Sequence, residues 1–397
     1  MRARGLIAVL GASLVSMLGS SATFVAVPWF VLSTTGSATK TGLVSAAAAT
    51  GVVVSGLAFG PLLDRFGHRV MAVLADLVAA VAIGLVPLLH ARLATMPLSV
   101  VAALTFTASA AGMVSSTARQ SLLPGLSAQA GAALPRVSAF YWTMQRATLV
   151  LAAVPVGILI SVFGPLGALW ANSATYFLAS AILLFGLTVP EVAAEREGYL
   201  ARLIAGLGFM RRDGLIRSVL AMAILLTALE APLLPVIVPS LAASGGGPGA
   251  LGTLVLAYAG GMLLGAIGYG VAGTRLPKRA FTFGCLVTVG LGYLALVWQA
   301  GAAARIAALV VTGLATGPLA PLIVSTVQQR TPPQMLGRVT GALISSIMAA
   351  IPLGRAASGY AIDAAGMATF MVISAIAYIG CAIYLLSSQQ LRRALAS

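Results

Sequence analysis

Glu230 stands inside an apolar run that extends from about Leu215 to Leu241. An ionised carboxylate is expensive in hydrocarbon unless it meets a partner or a water-filled cavity. A group so placed can exchange a proton or engage a cationic solute, and the plainer alternative is a fixed structural ion pair. Arg146 and Gln145 lie within another apolar run, about Arg136 to Val162, and cannot both face lipid cheaply. Arg146 is a candidate partner for Glu230, or it snorkels to the membrane surface. Asn172 and Tyr176 are one turn apart in the run Leu166 to Val189, where they either line a cavity or join helices. Asp76, near one end of the run Val70 to His90, is expected to pair with the charged turn just before it. Arg355, in the run Val339 to Ile362, is placed to reach the outer interface or, with Arg146, to hold an anion.

That charged turn reads Gly60-Pro61-Leu62-Leu63-Asp64-Arg65-Phe66-Gly67-His68-Arg69. It packs four ionisable groups and two glycines between two apolar runs, so it is too polar to cross a bilayer. Gly60 and Gly67 have no Cβ and permit close helix approach and unusual backbone angles. Asp64 can pair with a neighbouring base or meet the positive end of a helix. A simple charged topology stop is the plainer alternative. Pro28, Pro155, Pro232, Pro235 and Pro352 lie within apolar runs, where each removes a helical hydrogen bond and marks a bend.

The elements that must position these residues follow from composition. Of 397 residues, 60% are hydrophobic and only 8% are charged, against roughly 25% charged in a soluble domain. Mean hydropathy is +1.04. Uncharged runs of about 20 residues recur along the chain, each long enough to span hydrocarbon as a helix. Buried strands of an α/β protein would be far shorter, about four to eight residues. The expected fold is therefore an all-α polytopic membrane protein with twelve transmembrane helices. The first run has no clear cleavage site and reads as a retained helix. The net charge of +15 sits in short connections rather than in a surface stripe, which argues against a nucleic-acid partner. Cys285 and Cys381 lie in apolar runs and read as packing residues. No phosphate-binding loop, paired catalytic carboxylates or metal-ligand spacing stands out, so neither an enzyme nor a metal or other cofactor is expected.

The basic residues orient the spans. One side receives the cations of the charged turn, of the polar connection Ala118 to Pro135 with its Arg119, of the central stretch and of the tail. The other receives only Lys40, Arg92 and Arg305. The positive-inside rule makes the first side cytoplasmic and places both termini there, in a plasma or bacterial inner membrane. The polar stretch Pro190 to Arg217 divides the chain into an N-terminal six-helix half (1–189), a cytoplasmic linker (190–214) and a C-terminal six-helix half with a basic tail (215–397). Within that stretch, Tyr199 to Met210 has the spacing of an amphipathic surface helix. The halves are pseudo-symmetric. Ser116-Thr117-Ala118-Arg119-Gln120 matches Ser325-Thr326-Val327-Gln328-Gln329, and Gly60 to Arg69 matches Gly268 to Lys278. Parallel repeats of this kind place a solute site near the midplane between the halves.

The turn Gly60-x-x-x-Asp64-Arg65-x-Gly67-x-Arg69 resembles the signature loop of the major facilitator superfamily, with His68 at one usually basic position. Ala118-Arg119-Gln120-Ser121-Leu122-Leu123-Pro124 and Pro332-Pro333-Gln334-Met335-Leu336-Gly337-Arg338-Val339 are similar to the branch that exports macrolides, other drugs and siderophores. Val154-Pro155-Val156-Gly157 resembles that branch's antiporter signature without its first glycine, and adds Gly157 to the bends. The resemblance implies a proton-coupled antiporter working as a functional monomer among membrane lipids. Its partners would be a small-molecule substrate, hydrophobic or cationic, and protons. Asp64, Arg65, Arg69 and Asp76 would serve a cytoplasmic gate. Export of a dedicated metabolite such as a siderophore, translocation of a lysolipid or lipid, and a non-transporting receptor or scaffold stay open as alternatives.

Overall fold

A computed structural model gives the fold; it describes residues 4–58, 65–93, 96–187, 207–211, 213–272, 277–298 and 301–387. Gly60 and Asp64 of the charged turn lie outside the described residues, as do most of the central linker and the basic tail. Every regular element described is helical, because in hydrocarbon a backbone must satisfy its polar groups within its own segment. Ten helices among the described residues are long and apolar enough to cross a membrane. The chain divides into two compact units, 1–36 with 43–197, and 37–42 with 198–397.

The first unit holds α1 (Arg4–Thr35), most of α2 (Ala38–Ala58), α3 (His68–Arg92), α4 (Leu98–Ala130) and α5 (Leu134–Gly186). At 53 residues α5 far exceeds one span, and it is broken at Gly164, whose φ of 71° and ψ of 172° precede Pro165. α1 packs on α5, and α3 packs on both α4 and α5. α3 shows how a sequence meets lipid. Val70, Leu74, Val78 and Val81 are exposed, whereas Ala72, Ala75, Ala79 and Ala80 are buried. Large side chains face outward and small ones inward because close van der Waals packing, not water exclusion, holds such helices together. Asp76 lies on the buried face.

One expectation fails here. The connection assigned to Ala118–Pro135 is helical as far as Ala130, and Arg119 is buried within α4. The helix continues past a cation because that cation is neutralised inside the unit. Gly67, at φ 82°, precedes the first residue of α3 in a backbone region that disfavours any side chain. Arg69 then donates from Nη2 to the Leu184 carbonyl near the end of α5, at 2.8 Å.

The second unit holds α6 (Gly214–Glu230), a π-helical turn (Leu233–Ile237), α7 (Val238–Ala243), α8 (Gly247–Ala272), α9 (Lys278–Val297), α10 (Ala302–Thr316), α11 (Leu319–Arg330), α12 (Leu336–Ala365) and α13 (Met367–Ser387). It repeats the junction of the first, since Arg279 at the start of α9 donates to the Leu386 carbonyl near the end of α13, at 3.0 Å. α8 and α10 cross on glycines from both sides. A β-carbon at Gly261 or Gly265 would strike the Val310 or Leu314 carbonyl, and one at Gly313 or Gly317 would strike that of Tyr258 or Met262. Two small-x-x-x-small faces thus meet backbone to backbone. Residues 37–42, which open α2, also group with this unit. Asp363 near the end of α12 accepts from Ser37 Oγ (2.7 Å) and from the backbone N–H groups of Ala38 (3.0 Å) and Thr39 (2.9 Å).

Candidate functional site

Two acidic side chains inside the helices define two candidate sites, one in each unit. In the first unit, Asp76 on α3 meets Arg119 on α4, with Oδ2 2.6 Å from Nη1. Their side chains are 0% and 1% exposed. Arg119 Nη2 also donates to Ser16 of α1 at 3.1 Å, and Ser115 Oγ ties α4 to the Ala72 carbonyl of α3 at 3.0 Å. The expected pairing of Asp76 with the charged turn is thus replaced by a pairing within the bundle. A buried aspartate needs a cation on a facing helix, and Arg119 is in reach. Tyr176 shares a hydrogen bond of 2.9 Å with Ser20, and Asn172 donates to Thr23. Both residues are buried and join α5 to α1. Arg146 is exposed and Gln145 half-buried.

In the second unit, Glu230 is the last residue of α6. The helix starts cleanly, because the Asp213 carboxylate accepts from the N–H groups of Leu215 (2.9 Å) and Ile216 (3.0 Å). It ends at Glu230 because Pro232 and Pro235 follow and cannot donate, and the chain opens into the π-helical turn. Those two prolines stand at the break. Pro28, Pro155 and Pro352 instead lie inside helices that continue past them, as does Gly157.

Three tyrosines from three helices converge on this end of α6. Tyr258 of α8 donates its hydroxyl to Glu230 Oε1 at 2.8 Å. Tyr293 of α9 donates to the Leu229 carbonyl at 3.1 Å, and Tyr378 of α13 to the Leu226 carbonyl at 3.3 Å. The rings of Tyr293 and Tyr378 stack, 5.7 Å between centroids and 24° between planes. The glycine crossing of α8 and α10 fixes Tyr258, whose own carbonyl lies against Gly313. Nothing in spacing along the chain joins Tyr258 to Tyr293 and Tyr378. The usable signal is the phenolic hydroxyl itself, which seeks a partner when buried.

Toward the start of the same helix, Val219, Met222 and Leu226 line a small, open apolar cleft with Thr282 of α9 and Leu319, Leu322, Ile323 and Thr326 of α11. Both threonine hydroxyls donate to their own helices, at Lys278 and Leu322. The cleft therefore offers an occupant apolar surface alone. Among the described residues no three His, Cys, Asp or Glu side chains gather to hold a metal ion.

The arrangement of a carboxylate at a broken helix, supported by other helices of its bundle, suits a membrane carrier, and comparison with known proteins agrees. The Major Facilitator Superfamily profile matches residues 9–241. The multidrug efflux pump Tap of Mycobacterium tuberculosis (strain ATCC 25618 / H37Rv) is 30% identical over 376 residues, 92% of this chain and 89% of that protein. Tap of Mycolicibacterium fortuitum is 29% identical over 379 residues, 93% of this chain and 92% of that protein. Among solved structures, the nucleoside transporter NupG superposes with a TM-score of 0.81 at 12% identity, covering 98% of this chain and all of that one (100%). A bacterial homologue of the human lysosomal transporter Spinster gives 0.76 at 13% identity, covering 99% of this chain and 98% of that one. These likenesses support the fold, and the profile match, which spans more than half of the chain, adds the family: the chain is a multi-pass membrane protein of the Major Facilitator Superfamily.

Proposed function

We propose that this transporter is a proton-coupled antiporter that exports small hydrophobic or cationic compounds by alternating access of its two six-helix halves. The observation that carries the reading is Glu230, held by the neutral Tyr258 hydroxyl at the break of α6. A carboxyl group whose partner carries no charge can release its proton in exchange for a cationic substrate, or regain it when the substrate leaves, without breaking an ion pair. The cleft on the same helix is lined by apolar side chains, and the relatives named as multidrug efflux pumps support the same class. In this reading the membrane is a bacterial inner membrane and twelve spans place both termini in the cytoplasm. The charged turn around Arg65, Gly67 and Arg69 works as the cytoplasmic latch, and the functional unit is a monomer among lipids.

The test is ethidium movement in proteoliposomes under an imposed pH gradient. The parent protein is expected to drive ethidium against its gradient when protons flow the other way. Glu230→Gln is expected to abolish the response to the pH gradient while keeping the fold. Gradient-driven transport that survives Glu230→Gln unchanged removes Glu230 from coupling, and a parent protein that moves no ethidium but does move an anionic solute removes the cationic-drug reading.

A further inference from the structure

The break of α6 releases two carbonyls, and two successive residues of α12 stand against them. Pro232 has no N–H for the Ala228 carbonyl one turn before it, and Pro235 has none for that of Ala231. Ala228 and Ala231 are close to one turn apart, so their carbonyls share a face of the helix. α12 packs along α6 and the π-helical turn. Gly354 lies so close that any β-carbon there would strike the Ala228 carbonyl oxygen. Arg355, the next residue, donates from Nε to the Ala231 carbonyl at 3.3 Å. An unanswered carbonyl inside a membrane bundle is costly, and Ala231 is the residue directly after Glu230.

We propose that Arg355 is a positioning residue for Glu230: it supplies the donor that Pro235 withholds from Ala231 and so holds the broken end of α6 in place. The guanidinium Nε–H is then committed to the backbone of the break. Its consequence for transport rests on the reading of Glu230 as the exchanging group; the structural part does not.

The two parts separate in a double-mutant cycle on the purified full-length protein, read as ethidium transport in proteoliposomes and as melting temperature in detergent. Arg355→Ala is expected to slow gradient-driven transport about tenfold, as losing one charge-assisted hydrogen bond would, and to shift its pH profile. In a Pro235→Ala background residue 235 has an N–H of its own for Ala231, so adding Arg355→Ala is expected to cost less than about threefold, with a smaller melting shift. Equal losses in both backgrounds overturn the proposal. If Arg355→Ala does not fold in the parent, Arg355→Lys replaces it, and again a loss that is no smaller in the Pro235→Ala background overturns it. Glu230→Gln judges the other reading alone: should the pH response survive that change, coupling through Glu230 falls, while the melting-temperature cycle between positions 235 and 355 still decides the clasp.

Discussion

Asp76 and Glu230 are both acids placed inside helices that cross the membrane, and their surroundings differ in kind. Asp76 faces a cation, Arg119, with both side chains closed off. Glu230 faces a neutral phenol, Tyr258, at the end of a broken helix and keeps partial exposure. An ion pair sealed inside a bundle is a fixed component, since separating it leaves two charges in a medium that solvates neither. A carboxylate hydrogen-bonded to a hydroxyl tolerates either protonation state, because the hydroxyl can donate to it or accept from it. The repeat sharpens the contrast. Two turns beyond Arg69 lies Asp76, whereas two turns beyond Arg279, its counterpart at the junction, lies the buried apolar Leu286. The position that matches Arg119 holds Gln328. At the matching positions the first unit ties its helices together with charge, while the second has an apolar and an uncharged side chain and carries Glu230 elsewhere.

The largest expected effect tests this directly. Asp76→Asn leaves Arg119 buried without its counter-charge and should destabilise the protein by about 3–5 kcal/mol, read as a fall in melting temperature. Replacing both, as in Asp76→Leu with Arg119→Met, should recover most of that loss. Glu230→Gln should cost under about 1 kcal/mol, because the amide oxygen still accepts from Tyr258. Equal costs for Asp76→Asn and Glu230→Gln would erase the distinction between the two acids.

A smaller effect is expected where Tyr258 is set in place. Gly265→Leu forces apart the α8–α10 crossing, at a cost of about 1–3 kcal/mol for overpacking. Because that crossing also places Tyr258, the variant should lose gradient-driven ethidium transport beyond what its melting shift accounts for. Transport that falls only in step with stability would mean that the tyrosine tolerates displacement.

How far these features were legible depends on their range along the chain. Long apolar runs, the charged turn and the isolated Glu230 are local and stood out at once, as did Pro232 and Pro235. Arg119 was misread because hydropathy treats any cation after an apolar run as the end of a span. Only the distance to Asp76, on another helix, shows that the charge is neutralised and the helix goes on. The glycine pairs Gly261–Gly265 and Gly313–Gly317 are visible in the sequence, but that they meet each other is a tertiary fact. The same holds for Tyr258, Tyr293 and Tyr378, which come from three separate helices to one helix end.

Asp363 extends the comparison to a third acid, one held among the described residues by neither a cation nor a phenol. Its carboxylate accepts from Ser37 and from the backbone N–H groups of Ala38 and Thr39, so it caps the start of α2 from a different helix. Four N–H groups are orphaned at any helix start, and an acceptor there also meets the positive end of the helix dipole. The Ala38 N–H goes to Oδ1 and the Thr39 N–H to Oδ2, so an asparagine here, with one oxygen, can answer only one of the two. Asp363→Ala should therefore cost about 1 kcal/mol and speed amide hydrogen exchange at both Ala38 and Thr39, while Asp363→Asn should keep only one of the two amides protected. If Asn protects both amides as well as Asp does, a single oxygen suffices for the cap and the second acceptor is dispensable.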